Sequence, residues 1–460
     1  MGPPRQQTFS RPSLAVTRQI AARDATHTAV TWFLLIAVFM PATMTIYVGD
    51  AKLIPGRIAI ILLLAPALLQ FRHNRHLVLA DVFVAVASVW MMVAILQADP
   101  ASWTSAAALV LEFGGAYFIG RAFYITPAAQ FSFVRILGPI AIVIVALAAL
   151  EHLTQSIVTN NIIASLWGLP PLEPEYRSGL VRAFSTFPHP ILYGTFCVVA
   201  GALFLFKQPR RLVLAAGCLG GCVLAVSSAP LISFIIVIFT FAYDRLLHNI
   251  SARWKALVIG LASMLTLVIL ITNKPISWIV SNLTFDPSTG YFRVATWDSA
   301  LYYIGQSPYF GYGFETYGKA EDFFSNASVD SVWLTLALRF GWPVVIAIVL
   351  ACFAAVMPVR AKSGANVSDP RVISLRTGFT AAIVVFMFAG LTVHYWNNIW
   401  IFWGLCLGIR ASFQEAFAWS RRPAPAARRE ARMARQGAMS PELPRPNQLP
   451  RRFRVIGPLR

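Results

Sequence analysis

The amino-acid sequence predicts an all-α polytopic membrane protein with about 12 transmembrane helices. Hydrophobic residues make up 57% of the 460 residues and charged residues only 12%, whereas a soluble globular chain is about one quarter charged. Apolar stretches of about 18 residues or more recur along most of the chain, and each can cross a hydrocarbon layer of about 30 Å as a helix. These observations exclude an ordinary soluble domain.

The apolar stretches and the basic residues together predict the topology. Membrane spans are expected at about residues 30–48, 54–71, 78–96, 103–119, 136–152, 190–206, 212–226, 229–243, 255–272, 331–357, 376–393 and 398–413. Twelve spans place both termini on one side of the membrane. Most of the 38 Lys and Arg residues lie in the two tails and in the loops on that side. Cytoplasmic loops are enriched in Lys and Arg, so both termini are predicted to be cytoplasmic.

Three regions of different composition divide the chain. Residues 1–28 are polar and form a predicted cytoplasmic tail, and residues 29–419 form the transmembrane domain. Residues 420–460 are rich in Arg and Pro, so they are predicted to be a disordered cytoplasmic tail that either contacts anionic lipid or only helps to fix orientation. The net charge of +19 therefore follows mainly from topology, and no nucleic-acid partner is predicted.

Two predicted loops are much longer than the others, at about 153–189 and 273–330, and both face the periplasmic side. Long loops in a compact protein usually carry function, so function is expected at this outer face. The second loop is expected to carry short amphipathic helices, because Trp297 and Leu301 share one face at helical spacing. Its aromatic rings, with Tyr312 in the following turn, are either platforms for sugar or lipid or an interfacial aromatic belt.

Three arginines near the outer face are candidate phosphate ligands. Arg182 precedes the sixth span, Arg293 lies in the aromatic helix, and Arg339 lies about two turns into the tenth span. A guanidinium group is suited to bidentate contact with phosphate oxygens. Alternatively, each arginine extends to a lipid headgroup or pairs with an acid such as Asp298 or Glu315.

Asp330 and His189 are the candidate acid–base residues. Asp330 precedes the helical pattern that begins at Ser331, so it is a candidate helix N-cap and a candidate general base at the mouth of a cavity, and one role does not exclude the other. His189 is either a base or polar lining, as is His394. Glu173 and Glu175, in the sequence LEPEY, are weaker candidates for binding a divalent cation, and a polar loop explains them equally well. The five cysteines lie in apolar stretches without metal-ligand spacing, so no metal or cofactor is predicted.

Three stretches, in order, resemble motifs of the O-antigen ligase/polymerase family. RAFSTFPHPILYGTF, which begins at Arg182, resembles the R-x-x-G-x-F-x-H-P element that opens a span. YFRVATWDSALYYIGQSPYFGYGF resembles the R-x-x-x-W-x-x-A and P-x-x-G-x-G elements of the large outer loop. SVDSVWLTLALRFGWPVVI resembles the stretch that closes this loop, with the pattern H/D-(N/S)-x-x-L-x-x-x-x-x-x-G. The resemblance covers roughly 180–360 by motif and most of the chain by topology.

This resemblance implies a metal-independent glycosyltransferase of the bacterial inner membrane. Its expected substrate is an oligosaccharide on undecaprenyl diphosphate, and its expected further partners are membrane lipid and the flippase and chain-length regulator of the same pathway. The reaction needs a base for the acceptor hydroxyl and cations for the departing diphosphate. The expected catalytic residues are Asp330 and His189. The residues expected to bind sugar or diphosphate are Arg182, Arg293, Arg339, Trp297 and Tyr312.

Two departures from the family pattern favour a Wzy-type polysaccharide polymerase. The ligase branch has a histidine where this chain has Asp330. The family also often has the dipeptide Ser-Arg after the span that ends near residue 226, and here Ala229 stands where that arginine would fall. Ligation of O-antigen or another glycan from the same carrier stays open as an alternative. A transporter or flippase with 12 spans is the alternative of another class. It is less favoured because transporters concentrate polar residues at the membrane midplane, where this sequence has few acids, such as Asp81 and Glu112.

Overall fold

The computed structural model is mostly helical. It describes residues 27–41, 43–49, 51–71, 75–207, 211–272, 287–314, 329–357 and 369–419. The predicted C-terminal tail at 420–460 and the N-terminal tail before residue 27 lie outside the described residues, as do parts of the 273–330 loop.

Fifteen helices and two short hairpins are formed by the described residues. The helices are α1 His27–Val38, α2 Pro55–Phe71, α3 Leu79–Ala98, α4 Pro100–Phe123, α5 Pro127–Thr154, α6 Thr159–Trp167, α7 Pro190–Phe206, α8 Leu212–Leu224, α9 Ser228–Leu246, α10 Arg253–Ile271, α11 Pro287–Gln306, α12 Val332–Phe340, α13 Trp342–Val356, α14 Pro370–Ala389 and α15 Asn397–Trp419. The antiparallel hairpins pair β1 Ile46–Val48 with β2 Ala51–Leu53 and β3 Tyr176–Arg177 with β4 Leu180–Val181.

Six of these helices are long and apolar enough to cross a membrane: α3, α4, α5, α9, α10 and α14. Five more, α1, α2, α7, α8 and α13, are apolar but shorter. The chain is therefore a helical, multi-pass membrane protein, whereas the predicted number of about 12 spans is not confirmed.

Three predicted segments differ from the sequence-based expectation. The apolar run at 30–48 is helical only to Val38 and then leads into the β1–β2 hairpin. The run at 331–357 forms two helices, because Gly341 adopts φ +77°, which is not a helical angle. Glycine is required there, since a Cβ would overlap the carbonyl oxygen of Tyr309. In the second long loop, the described residues form α11, a helix of 20 residues rather than several short ones.

Helix α7 lies at the centre of one half of the bundle and positions the candidate site. Every residue of α7 except Ile191 is buried, and the helix packs against α8, α9 and α14. A helix that is apolar on all sides is stable only when it is surrounded by other helices or lipid. The residues just before α7, which include Arg182 and His189, are therefore attached to a rigid support.

The two intramembrane acids named above, Asp81 and Glu112, are paired in the structure. A carboxylate in a membrane segment is costly unless a partner neutralises it. Glu112 lies 2.8 Å from Nη2 of Arg57, and Asp81 lies 2.7 Å from Nε of Arg121. Both acids thus have a structural explanation as members of ion pairs.

Candidate functional site

His189 begins α7 through its side chain. Its Nδ1 accepts a hydrogen bond from the backbone N–H of Ile191 at 3.2 Å, as an N-cap residue does. A ring nitrogen that accepts a hydrogen bond carries no proton, so the neutral ring is assigned a proton on Nε2. That Nε2 lies 3.3 Å from Oε1 of Glu175. In this arrangement neither ring nitrogen of His189 is open to accept a further proton.

Glu175 also forms an ion pair with Arg182. The carboxylate contacts Nη1 of Arg182, and the backbone N–H of Arg182 donates to the carbonyl oxygen of Glu175 at 2.9 Å. The β3–β4 hairpin explains this proximity, because its register pairs Tyr176 with Val181. Glu175 and Arg182, which directly flank this pair, therefore lie opposite each other. Nε of Arg182 donates to the carbonyl oxygen of Ala225 at 3.3 Å, so the guanidinium group is held from two sides.

A fully buried carboxylate, Glu151, holds the turn between Arg182 and His189. Its Oε2 accepts hydrogen bonds from the backbone N–H groups of Phe184 at 2.9 Å and Ser185 at 2.7 Å. Ser185 has φ +53°, a backbone region that favours glycine. The family element has glycine at this position, so the chain keeps the turn although it has a serine there.

Arg293 on α11 is buried, and two of its guanidinium atoms have no hydrogen-bond partner in the part of the chain that the structure describes. The residue is 9% exposed, and its Nε and Nη1 are buried without a partner among the described residues. Nη2 of Arg182 is in the same condition. Buried donors of this kind cost about 1–3 kcal/mol each when they are left unsatisfied. Such atoms are suited to receive an anion.

The carboxylate of Asp330 interacts electrostatically with three of the residues described above. The residue is exposed, and its negative charge acts on Arg293, Arg182 and His189. Burial lowers the pKa of both arginines, and the charge of Asp330 opposes this effect at each. Burial also lowers the pKa of His189, which keeps its ring neutral near pH 7. Arg177, at the tip of the β3–β4 hairpin, acts on the same two arginines and so joins the cluster.

The N-cap of α12 is Ser331 rather than Asp330. The hydroxyl of Ser331 accepts a hydrogen bond from the N–H of Leu334 at 3.4 Å and donates to the carbonyl oxygen of Gly390 at 3.0 Å. The N-cap interpretation of Asp330 is therefore wrong. Asp330 lies one residue before the cap, where the positive end of the helix favours a carboxylate anion.

The other predicted binding residues lie in different surroundings. Arg339 is about 13 Å along α12 from Asp330, and its Cζ lies 4.5 Å from the ring centre of Phe314. Trp297 is 6% exposed, and its indole N–H donates to the carbonyl oxygen of Leu391 at 3.2 Å. The hydroxyl of Tyr312 donates to the carbonyl oxygen of Tyr303 at 3.0 Å. The Trp297 contact attaches α11 to the bundle, and the hydroxyl of Tyr312 attaches the following turn to α11.

Comparison with known protein families identifies the central region. Residues 195–349 match the model of a family described as O-antigen ligase. This region belongs to the O-antigen ligase/polymerase family. The match includes Arg293 and Asp330 and begins shortly after Arg182 and His189. Members of this family are glycosyltransferase-like enzymes that act on lipid-linked glycans. No curated protein sequence matches the chain.

The glycines of the second O-antigen ligase/polymerase motif have a structural reason. Gly311 and Gly313 have φ +67° and +65°, and a Cβ on Gly311 would overlap the carbonyl oxygen of Leu338. The N–H of Tyr312 donates to the same oxygen at 2.7 Å. The turn therefore lies directly against the end of α12, the helix that follows Asp330.

Several site residues were not identified as such from the sequence. Glu151 and Arg177 are ordinary charged residues in sequence, and only the tertiary structure shows what they contact. The carboxylate of Glu175 contacts Arg182 and His189. The described parts of the chain contain no group of three or more His, Cys, Asp or Glu that could hold a metal ion. Trp396 packs its ring against His189, with ring centres 6.1 Å apart. No local pattern indicates any of these contacts.

Proposed function

We propose that the chain is a Wzy-type polysaccharide polymerase. It joins oligosaccharide repeat units carried on undecaprenyl diphosphate at the periplasmic face of the bacterial inner membrane, with both termini in the cytoplasm. The supporting observation is that the negative charge of Asp330 acts on both Arg182 and Arg293, two largely buried arginines. A base and buried cations are what glycosyl transfer from a diphosphate requires.

In the proposed reaction, one bond to the anomeric carbon replaces another. A hydroxyl oxygen of the incoming repeat unit attacks the anomeric carbon of the growing glycan. The bond from that carbon to the diphosphate oxygen breaks, and undecaprenyl diphosphate leaves with the bonding electrons. Asp330 accepts the hydroxyl proton, and Arg182 and Arg293 stabilise the charge on the departing diphosphate. The reaction is balanced without a metal or a nucleotide.

The remaining predicted residues take supporting parts in this proposal. Trp297 and Tyr312 hold the outer helix and its turn against the bundle, so that Arg293 stays in place. Arg339 stabilises the Phe314 region at the far end of α12 by a cation–π contact. We expect a flippase to deliver the lipid-linked unit to this face and a chain-length regulator to limit the polymer.

Glycan ligation is the second candidate, because the matching family is described as O-antigen ligase. Deletion of the gene in its host, followed by sizing of surface and lipid-linked glycans on a gel, separates the candidates. We expect single repeat units that are not polymerised. Full-length polymer that stays on the lipid carrier would instead identify a ligase. An unchanged glycan profile would contradict both.

A further inference from the structure

The Glu175 carboxylate is bound by two hydrogen-bond donors at once. One of its oxygens contacts Nη1 of Arg182, and the other lies 3.3 Å from Nε2 of His189. The Glu175 side chain is 39% exposed, compared with 11% for Arg182 and 29% for His189. The acid thus reaches the two donors from the solvent side.

The two donors are fixed independently of Glu175. Nε of Arg182 is bound to the carbonyl oxygen of Ala225, and Nδ1 of His189 caps α7. The ring of His189 also packs edge-on against Trp396. The Glu175 carboxylate, by contrast, lies on a coil segment that precedes the hairpin. If the carboxylate turns outward, both donors therefore stay in place.

The charge balance of the cluster favours such an exchange. The charges of Glu175, Arg177 and Asp330 act on Arg182, and those of Asp330 and Arg177 act on Arg293, so three arginines and two carboxylates share one cluster. A lipid diphosphate that carries a sugar brings two further negative charges. The cluster would then hold more negative than positive charge in partly buried surroundings, which is costly. Departure of one carboxylate restores the balance, and Glu175 occupies the very donors that suit a phosphate oxygen.

We propose that Glu175 takes the place of a phosphate oxygen in the substrate-free protein and is exchanged for the diphosphate on the same two donors, Arg182 Nη1 and His189 Nε2–H. This inference rests on the proposed function. It makes His189 a hydrogen-bond donor to the diphosphate instead of a base. No bond is made or broken in the exchange, since one anion replaces another.

Binding of farnesyl diphosphate to the purified full-length protein in lipid nanodiscs tests the exchange. Glu175→Gln keeps the shape of the side chain but weakens its hold on Arg182, so the diphosphate should bind about tenfold more tightly. Glu173→Gln is the matched control, because it removes the same charge from an exposed position in the same segment. A purely structural role for Glu175 would not produce tighter binding.

His189→Asn supplies the complementary measurement. Asparagine is a favoured N-cap, so α7 should still begin normally and the thermal midpoint should stay close to that of the wild type. The asparagine side chain is too short to reach the position of Nε2–H, so the diphosphate loses one hydrogen bond. Farnesyl diphosphate should therefore bind about tenfold more weakly.

The possible failures are distinguishable. If the wild-type protein binds farnesyl diphosphate and Glu175→Gln binds no more tightly than Glu173→Gln, the exchange is wrong and the proposed function stands. If neither the wild type nor any variant binds the diphosphate, the diphosphate site of the proposed function is wrong as well.

Discussion

The guanidinium group of Arg121 and the carboxylate of Glu415 lie 2.7 Å apart, and neither side chain is exposed. They are 294 positions apart in the sequence. Arg121 also binds Asp81, and Glu415 also binds Arg75 at 2.9 Å. This network joins the segment before α3 to the ends of α4 and α15.

Glu415→Gln should destabilise the protein strongly. Removing one charge from a buried network leaves its partners uncompensated, which costs about 3–5 kcal/mol. The thermal midpoint in detergent, followed by size-exclusion chromatography with fluorescence detection, measures the effect. Asp244→Asn is the control, because Asp244 and Arg253 form a partly exposed pair at 3.0 Å that is worth less than about 1 kcal/mol. Equal losses in the two variants would contradict the buried network.

Asp330→Asn should abolish polymer formation without a loss of stability. The asparagine has nearly the same shape but does not accept the hydroxyl proton, and α12 is capped by Ser331. Ser331→Ala should show the opposite result, a loss of about 1 kcal/mol of stability with polymerisation retained. Glycan gels and thermal midpoints of both variants check this. Normal polymer in Asp330→Asn would exclude Asp330 as the base.

Arg182→Lys and Arg293→Lys should each reduce polymerisation by at least about tenfold. Lysine keeps the charge but does not reproduce the two-pronged geometry of a guanidinium group on phosphate. The rate of polymer formation from purified lipid-linked repeat units is the measurement. Arg371→Lys, at an exposed position, should retain the wild-type rate. Unchanged rates in both site variants would rule out their assignment as diphosphate ligands.

Gly311→Ala should destabilise the turn that contacts α12. The added Cβ would overlap the carbonyl oxygen of Leu338, and φ +67° is unfavourable for alanine. Gly305→Ala should instead be neutral or stabilise by about 0.5–1 kcal/mol, since Gly305 lies in α11 with open space around it. The thermal midpoint of Gly311→Ala should therefore fall, whereas that of Gly305→Ala should stay the same or rise. The same shift in both would contradict the close contact.

His394 should make the protein less stable in acid. Burial first, and then the positive charge of Arg339, lower the pKa of His394 to about 3. The unfolded chain binds a proton near pH 6.5 and the folded one does not, so stability is complete above that pH and falls as the pH decreases. At pH 5 the loss is about 2 kcal/mol.

Thermal midpoints at pH 7.5 and pH 5 measure this effect. His394→Phe preserves a ring against Trp396, whose centre lies 5.2 Å from that of His394, and cannot be protonated. This variant should lose much of the acid sensitivity. An identical loss at pH 5 in the wild type and the variant would show that His394 is not the cause.

Local patterns in the sequence were sufficient for some features of the site and misleading for others. The motif elements of the sequence singled out Arg182 and Arg293, and in the structure the charge of Asp330 acts on both. Their role as diphosphate ligands stays a prediction. The helical pattern after Asp330 correctly predicted where α12 begins. Whether Asp330 or Ser331 caps the helix depends on the Ser331 hydroxyl, which contacts Leu334 and Gly390. The unbroken apolar run at 331–357 concealed the break at Gly341, because hydropathy does not report a backbone turn.

By itself, the sequence determined the class of the protein, its helical character and the family that its central region matches. Hydropathy and ordered motifs are properties of neighbouring residues, so they can be read along the chain. Only the tertiary structure decided that Glu175 binds Arg182 and His189, that Glu151 supports the turn at Ser185, and that Arg121 meets Glu415. Ion pairs and hydrogen bonds act over a few ångströms in space, and the folding of the whole chain determines which distant residues come within that range.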